Sequence, residues 1–331
     1  MGKKKYSAVA LGELLIDMTN NGVTERNNTL YEANPGGAPG NVLAMLRRFD
    51  HSVAMIGKVG DDMFGSLLIQ TLKDLAIDTD HVIEDKDTRT TLAFVKTFED
   101  GDRDFSFYRN PGADMMLRVD DIDDRLLEDT EVFHFGTLSM THDGVREATI
   151  YAAKKAKEAG AIISFDPNLR PPLWPNLDLA KEQVLEGLKY CDYLKISDNE
   201  ITWLTGLDDY SEGVKYIRER YDIPLITVSA GRDGSIAYYK DRAGDGKEIV
   251  VEVPAFILPN TVETTGAGDT FCGCMIHFLL EKGLKGLTET DLKDMLETAN
   301  AAAAVITTRN GALRVMPSIE EIERIADKKI I

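Results

Sequence analysis

The sequence predicts an α/β fold: a doubly wound, mainly parallel sheet with helices on both faces, and beside it a small β-sheet serving as a lid. Three observations predict it. Short apolar runs of strand length alternate with longer stretches of helical periodicity, over residues 9–75 and again from 131 onward. Two early stretches, about 13–34 and 88–112, are β-rich and have no helix of their own to cover them. No internal repeat or low-complexity linker divides the 331 residues, 43% of them hydrophobic, so one α/β domain over 1–331 is expected, with the lid inserted in two pieces.

Residues 9–11 read as a buried strand, and an uneven stretch at 14–33 follows, with Asn20-Asn21-Gly22 as a hairpin signal. Glycine-rich 36–40 leads into a helix opened by Asn41 and running to 49, with Val42, Met45, Leu46 and Phe49 on one face. Strand 53–56 and helix 64–75 make another βα unit. T-T-L-A-F-V-K-T-F and F-S-F-Y-R then flank Glu99-Asp100-Gly101-Asp102, a second hairpin signal. Strands V-F-H-F, I-I-S-F, Y-L-K-I and L-I-T-V alternate with helices 143–159, 178–190 and 211–220. Strands 235–239 and 249–253 lead to the loop V-E-T-T-G-A-G-D, after which a helix starts near Thr270 and helices dominate. Leu92, Phe94, Phe105 and Phe107 leave the lid with an apolar face that needs cover, so a homodimer through the lid is expected.

The net charge, 38 − 56 = −18, repels phosphate backbones and argues against nucleic acid as a partner. Any polyanionic ligand then needs a locally basic pocket. The three cysteines, Cys191, Cys272 and Cys274, are too few and odd in number for a disulfide framework, which points to a reducing, cytoplasmic compartment. Cys272 and Cys274 have no second Cys/His pair nearby and read as core thiols rather than metal ligands. Glu13 and Asp17 interrupt the first apolar run too early for a signal peptide, and no run approaches a membrane span.

Two glycine-rich loops carry the chemistry. In Thr264 to Asp269, between a strand and a helix, glycines let successive N–H groups point into one concavity, and the helix N-terminus adds partial positive charge. Such a nest suits the oxyanions of a phosphoryl group in transfer, and Asp269 at its edge suits a base that accepts a hydroxyl proton. The alternative is a helix-capping Asp beside glycines that merely turn. Phe271 stands where a dinucleotide fingerprint needs its third Gly, and no Walker-type G-x-x-x-x-G-K-[ST] occurs. In P-G-G-A-P-G-N, Gly36 and Gly37 allow close approach of a ligand, and Asn41 offers donor and acceptor to a pair of sugar hydroxyls, or else caps its helix.

Together, G-G-A-P-G-N-V-L-A early and T-T-G-A-G-D late resemble the paired signatures of the ribokinase-like (PfkB) carbohydrate kinases, over essentially the whole chain. The resemblance implies a ribokinase-like fold, sugar and ATP as the small-molecule partners, and Mg²⁺. Asp269 takes the base's role, with the N–H groups of Gly266, Ala267 and Gly268 as anion hole. Asp17, in G-E-L-L-I-D, takes the sugar-binding role, for which a carboxylate is apt because its two oxygens accept from vicinal hydroxyls. F-Y-R-N-P-G-A-D-M, S-F-D-P-N-L-R-P-P-L-W-P and L-K-I-S-D-N-E-I-T-W-L-T-G are similar to bacterial fructokinases. They bring in Arg109, expected to close over the sugar from the lid, then Asp166, Asn168 and Arg170 at a strand's carboxyl edge, and Lys195 on the nucleotide side. Glu200 matches the family's N-x-x-E motif, tied to Mg²⁺ through water, whereas Ser197 replaces its Asn. Ser229, Gly231 and Gly234 match the nucleotide strand-turn, and Asn300 falls where the family packs adenine.

Glu263 departs from the family, many of whose members carry Asp there to help bind a monovalent cation. A K⁺ site built from Glu263, Thr265 and the Gly311 loop is therefore expected to respond weakly to potassium. The function the resemblance implies is phosphorylation of a sugar hydroxyl, D-fructose to fructose 6-phosphate foremost. The alternatives are 2-keto-3-deoxygluconate, whose carboxylate Arg109 and Arg170 would bind, and a sugar-sensing pseudokinase.

Overall fold

The computed structural model describes residues 4–97, 103–242, 246–327 and 329–330. In chain order the elements are β1 (Tyr6–Leu11), β2 (Leu15–Val23), β3 (Thr29–Gly36), α1 (Ala38–Arg48), β4 (Val53–Gly60), α2 (Met63–Asp74), β5 (Val82–Asp85), β6 (Thr91–Thr97) and β7 (Arg103–Tyr108). They continue with α3 (Asp124–Glu128), β8 (Thr130–Gly136), α4 (Asp143–Glu158), β9 (Ile162–Asp166), α5 (Leu177–Leu188), β10 (Tyr193–Ser197), α6 (Asp198–Thr205) and α7 (Tyr210–Arg218). Last come β11 (Leu225–Ser229), β12 (Ser235–Lys240), β13 (Glu248–Val253), α8 (Ala267–Lys282), α9 (Glu289–Ile306) and α10 (Ile319–Ala326).

Nine strands form the main sheet in the order β13-β12-β11-β10-β9-β8-β1-β4-β5. All neighbours from β5 to β11 run parallel, and the β11-β12-β13 edge is antiparallel. Alternation along β1 shows how the sheet is covered. Ala8 and Ala10 pack with Val42, Met45, Met275 and Leu296 from α1, α8 and α9. Val9 and Leu11 pack on the other face with Val145, Ala152 and Val184 from α4 and α5. The chain leaves β1 toward β4 on one side and returns through β8 on the other. That topological switch point is where such sheets open a crevice at their carboxyl ends.

The second sheet has the order β3-β2-β6-β7, with β2 and β6 parallel and both outer pairs antiparallel. It stands over the crevice because β2 follows β1 directly and β3 runs straight into α1. Two sequence expectations need correcting. Asn20-Asn21-Gly22 is not the hairpin turn; it lies within β2 at a register shift, and the turn comes at Thr24–Asn28, closed by Thr24 N–H to Asn28 O at 2.8 Å. The lid's aromatic residues do not share one face either. Phe94 packs against Tyr31 and Tyr108, ring centroids 5.2 Å apart in each case, while Phe107, opposite Ala93 in the ladder, lines the crevice. The expected Glu99–Asp102 turn and the Phe105 side chain lie outside the described part. Among the described residues no helix is long and apolar enough to cross a membrane.

Candidate active site

The loop before α8 ends in Gly266, which takes φ = 77° at the helix N-cap; a Cβ there would stand 2.8 Å from the Ala312 methyl. The helix begins at Ala267, earlier than expected, so Asp269 sits inside its first turn and does not cap it. Gly37, with φ = 129°, likewise caps α1, and a Cβ would meet Glu13 O at 2.3 Å. The helix starts at Ala38, so Asn41 also lies inside a first turn and is no N-cap. The two helix starts face each other, and Asn41 Nδ2 donates to Asp269 Oδ2 at 2.8 Å. Among the described residues, buried Asn41 Oδ1 has no hydrogen-bond partner.

Asn168, in the left-handed region at φ = 43°, turns the chain after β9 so that its Nδ2 lies 3.4 Å from Asp269 Oδ1. Its Oδ1 accepts from Arg170 Nη1 at 2.7 Å. Asp269 is buried, which raises its carboxyl pKa despite the lowering influence of the Asn41 hydrogen bond and of the Lys195 and Arg170 charges. It is therefore a stronger base than an exposed carboxylate. Lys195 Nζ pairs with Asp166 Oδ2 at 3.0 Å, both side chains buried, and would lie 3.0 Å from a Cβ on Gly268. Burial favours the neutral amine, yet the Asp166 and Glu200 carboxylates prevail and raise the Lys195 pKa, so it is charged. Burial pushes Asp166 up to about 6, against the pull of Lys195.

These groups surround a cavity of about 230 Å³, whose wall includes Glu13, Leu15, Asp17, Gly37, Asn41, Phe107, Asn168, Arg170, Lys195, Thr264, Thr265, Gly266, Gly268 and Asp269. Gly36 packs on Asp17, where a Cβ would meet Oδ2 at 2.6 Å. A neighbouring cavity of about 480 Å³, with Ser197, Asn199, Glu200 and Trp203 in its wall, shares Asn168, Arg170 and Lys195 with the first. Two cations thus mark the boundary between a cavity that holds a base and a second, adjoining one.

Several expected site residues lie elsewhere or are already engaged. Arg109 does not close over the cavity. It is buried and pairs with Asp114 Oδ2 through Nε at 2.8 Å and Nη2 at 2.7 Å, and donates to Thr141 Oγ1 and Leu138 O, so it braces the floor. Asn300 does not offer its amide to a base: Nδ2 donates to Val253 O and Pro254 O, and Oδ1 accepts from Ser235 Oγ. It ties α9 to the start of β12 and the end of β13, next to the β11–β12 turn where Gly231 and Gly234 take φ of 53° and 107°. Ser229 ends β11 and pairs with Ser197 at the end of β10, so the strand-turn does lie on the same carboxyl edge. Glu200 closes a capping box, with Oε2 accepting from Ser197 N and Oγ, while Oε1 accepts from Leu169 N at 2.7 Å. Glu263, Thr265 and Gly311 do converge, but on each other: Glu263 accepts from Thr265 Oγ1 at 2.5 Å and from Gly311 N at 3.1 Å.

Sequence reasoning missed Glu13. It is buried, accepts from Ala38 N at 2.8 Å, and faces both the 230 Å³ cavity and a water-sized space of about 10 Å³ that Asp166, His134 and Asp269 also line. Burial pushes its carboxyl up to about 7. The signal was a charged residue two positions past the end of an apolar strand, read only as an interruption.

The pfkB family carbohydrate kinase profile matches residues 5–319. The chain belongs to the pfkB family of carbohydrate kinases. Like it, fructokinase-1 of Zea mays is similar over nearly its whole length, 37% identical across 99% of this chain and 100% of that protein. The crystal structure of a fructokinase from Xylella fastidiosa with bound ATP superimposes with a TM-score of 0.87 at 30% identity, covering 97% of this chain and 98% of that one. A double-mutant fructokinase from Vibrio cholerae O395, solved with fructose, ADP and potassium ion, gives a TM-score of 0.82 at 28% identity over 98% and 100% of the two chains. As a pfkB kinase, the chain has the ribokinase-like architecture, with its Gly-Ala-Gly turn and Asp269 at the sheet's carboxyl edge.

Proposed function

We propose that this pfkB kinase transfers the γ-phosphoryl group of ATP to D-fructose, giving fructose 6-phosphate. The observation that carries the reading is the placement of a buried, amide-held Asp269 beside the Gly266–Gly268 turn, where two cavities meet under Arg170 and Lys195. The relatives' names and bound ligands, fructose and ATP or ADP, support the choice of substrates.

In this reading the sugar occupies the 230 Å³ cavity. Asp17 and Asn41 Oδ1 accept from its hydroxyls, and the reacting hydroxyl lies against Asp269. Asp269 draws that proton as the oxygen attacks, and the N–H groups of Gly266, Ala267 and Gly268 receive the charge developing on the phosphoryl oxygens. Arg170 and Lys195 steady the phosphoryl group between the cavities, a local positive pair in a chain of net charge −18. Mg²⁺ would neutralise the phosphates; Glu200 fits it as a partner for metal-bound water, because the one bond from Leu169 N leaves Oε1 a lone pair to accept from it, while the Ser197 bonds hold Oε2 in place. Closure of the lid sheet, which carries Asp17 and Phe107, over the cavity would exclude water from the transfer. The reading includes a cytoplasmic enzyme, supported by three buried free cysteines, and a homodimer through the lid, supported by exposed Val23, Leu30, Tyr31 and Tyr108.

An ADP-release assay over fructose, 2-keto-3-deoxygluconate, ribose and nucleosides, with phosphorus NMR of the product, tests this. Fructose should give the highest kcat/KM and a 6-phosphate. Preference for the keto-deoxy acid would overturn the choice of sugar, and binding without turnover would indicate a sensor. The acid already has less support, since Arg109 is bound up in the floor and leaves Arg170 alone to meet a carboxylate.

A further inference from the structure

The helix pair that carries Asn41 and Asp269 at its start carries a second polar cluster farther along. His277 and Glu281 lie four residues apart on α8, one turn of the same face. His51 follows the C-terminal end of α1 and reaches across, with Nε2 at 2.8 Å from His277 Nδ1. One ligand-type atom from each of the three residues lies within 4.8 Å of the others. We propose that His51, His277 and Glu281 form a binding site for one divalent transition-metal cation of the Zn²⁺ class.

The geometry suits such an ion. Metal–donor bonds of about 2.0–2.1 Å at tetrahedral angles put donor atoms roughly 3.3 Å apart, so small side-chain shifts from the present spacing suffice. Two imidazoles and one carboxylate favour Zn²⁺, Co²⁺ or Ni²⁺ over Mg²⁺, which takes oxygen ligands and keeps its waters. Both rings are held in place. Phe49 stacks on His277 with centroids 3.9 Å apart and planes 4° from parallel, and Arg47 Nη1 donates to His51 O. A bound cation would replace the proton the two rings share. The Arg47 charge opposes this, and Glu281 offsets it.

The site would act as a staple rather than in the reaction. Eight residues of helix put it about 12 Å from Asp269. It would join the far ends of α1 and α8, which already touch where Gly273 packs on Met45 and where Asn41 meets Asp269.

The test uses the full chain without nucleotide, titrated with ZnCl₂ by calorimetry and with CoCl₂ by visible absorption. The expected result is one cation per chain, tetrahedral Co²⁺ bands, and an unfolding midpoint several degrees higher with Zn²⁺. His51→Ala and Glu281→Gln should each weaken binding by at least about tenfold, since even outer-shell partners are worth about 10–100-fold. Both should keep Mg²⁺-supported kinase turnover. No saturable binding up to millimolar cation, or equal affinity in wild type and both variants, would overturn the site.

Discussion

The two walls of the 230 Å³ cavity, the proposed sugar site, are built differently. On the main-sheet side, each functional group is already held by another: buried Asp269 by Asn41 and Asn168, buried Lys195 by Asp166, and half-buried Arg170 by Asn168. On the lid side, Asp17 and Phe107 come from a four-stranded sheet whose far end is exposed at Val23, Leu30 and Tyr31. Burial fixes geometry and shifts pKa values on the first wall, where the proposed base stands. In the proposed function the second wall needs only to meet hydroxyls and move aside.

That contrast predicts where substitutions act. The largest effect belongs to Asp269→Asn, which keeps the shape and one of the two amide contacts but removes the base; kcat should fall by about 10²–10⁴-fold with the circular dichroism spectrum unchanged. Near-normal turnover would remove Asp269 from the chemistry. Lys195→Met breaks the buried pair and should cost roughly 3–5 kcal/mol in urea unfolding near neutral pH. The sign with pH follows from Asp166, whose carboxyl is already pushed up to about 6. Without Lys195 its folded pKa rises further above the unfolded one, so the folded state binds the extra proton and the deficit shrinks on acidification. A pH-independent deficit would contradict the pairing.

Asp17→Asn, on the lid wall, should raise KM for fructose by about 10–100-fold, the worth of a hydrogen bond to a charged group, with a smaller change in kcat. A loss confined to kcat would move Asp17 into the reacting set. Asn41→Ala removes the hydrogen bond that lowers the Asp269 pKa. Turnover needs the ionised base and falls as pH drops through that pKa, so the acid limb of the kcat profile should move to higher pH in this variant. The smallest expected effect is at Glu263, whose carboxylate spans Thr265 and Gly311. Turnover in potassium and in a large organic cation should differ little in wild type and more in Glu263→Asp. Steep dependence in wild type, unchanged in the variant, would show the extra methylene to be silent.

Local order along the chain was enough to read the alternation of strands and helices, the glycine turns, and Asp269 as the candidate base at the end of T-T-G-A-G-D, because periodicity and backbone permissiveness are properties of short segments. The hairpin at Asn20-Asn21-Gly22 was misread because a turn signal and a bulge ask for the same residues, and pairing with β3 and β6 chose between them. Arg109 looked like a ligand for the same kind of reason: a guanidinium on a lid strand carries no sign that Asp114, Thr141 and Leu138 will take up its donors. Asn300 and Glu13 depended on partners 47 and 25 residues away in sequence. The contact that sets the base, Asn41 to Asp269, spans 228 residues. Segment chemistry could name both residues, but their meeting, and the desolvation that raises the carboxyl, follow from two helix starts brought together at the switch point of the sheet.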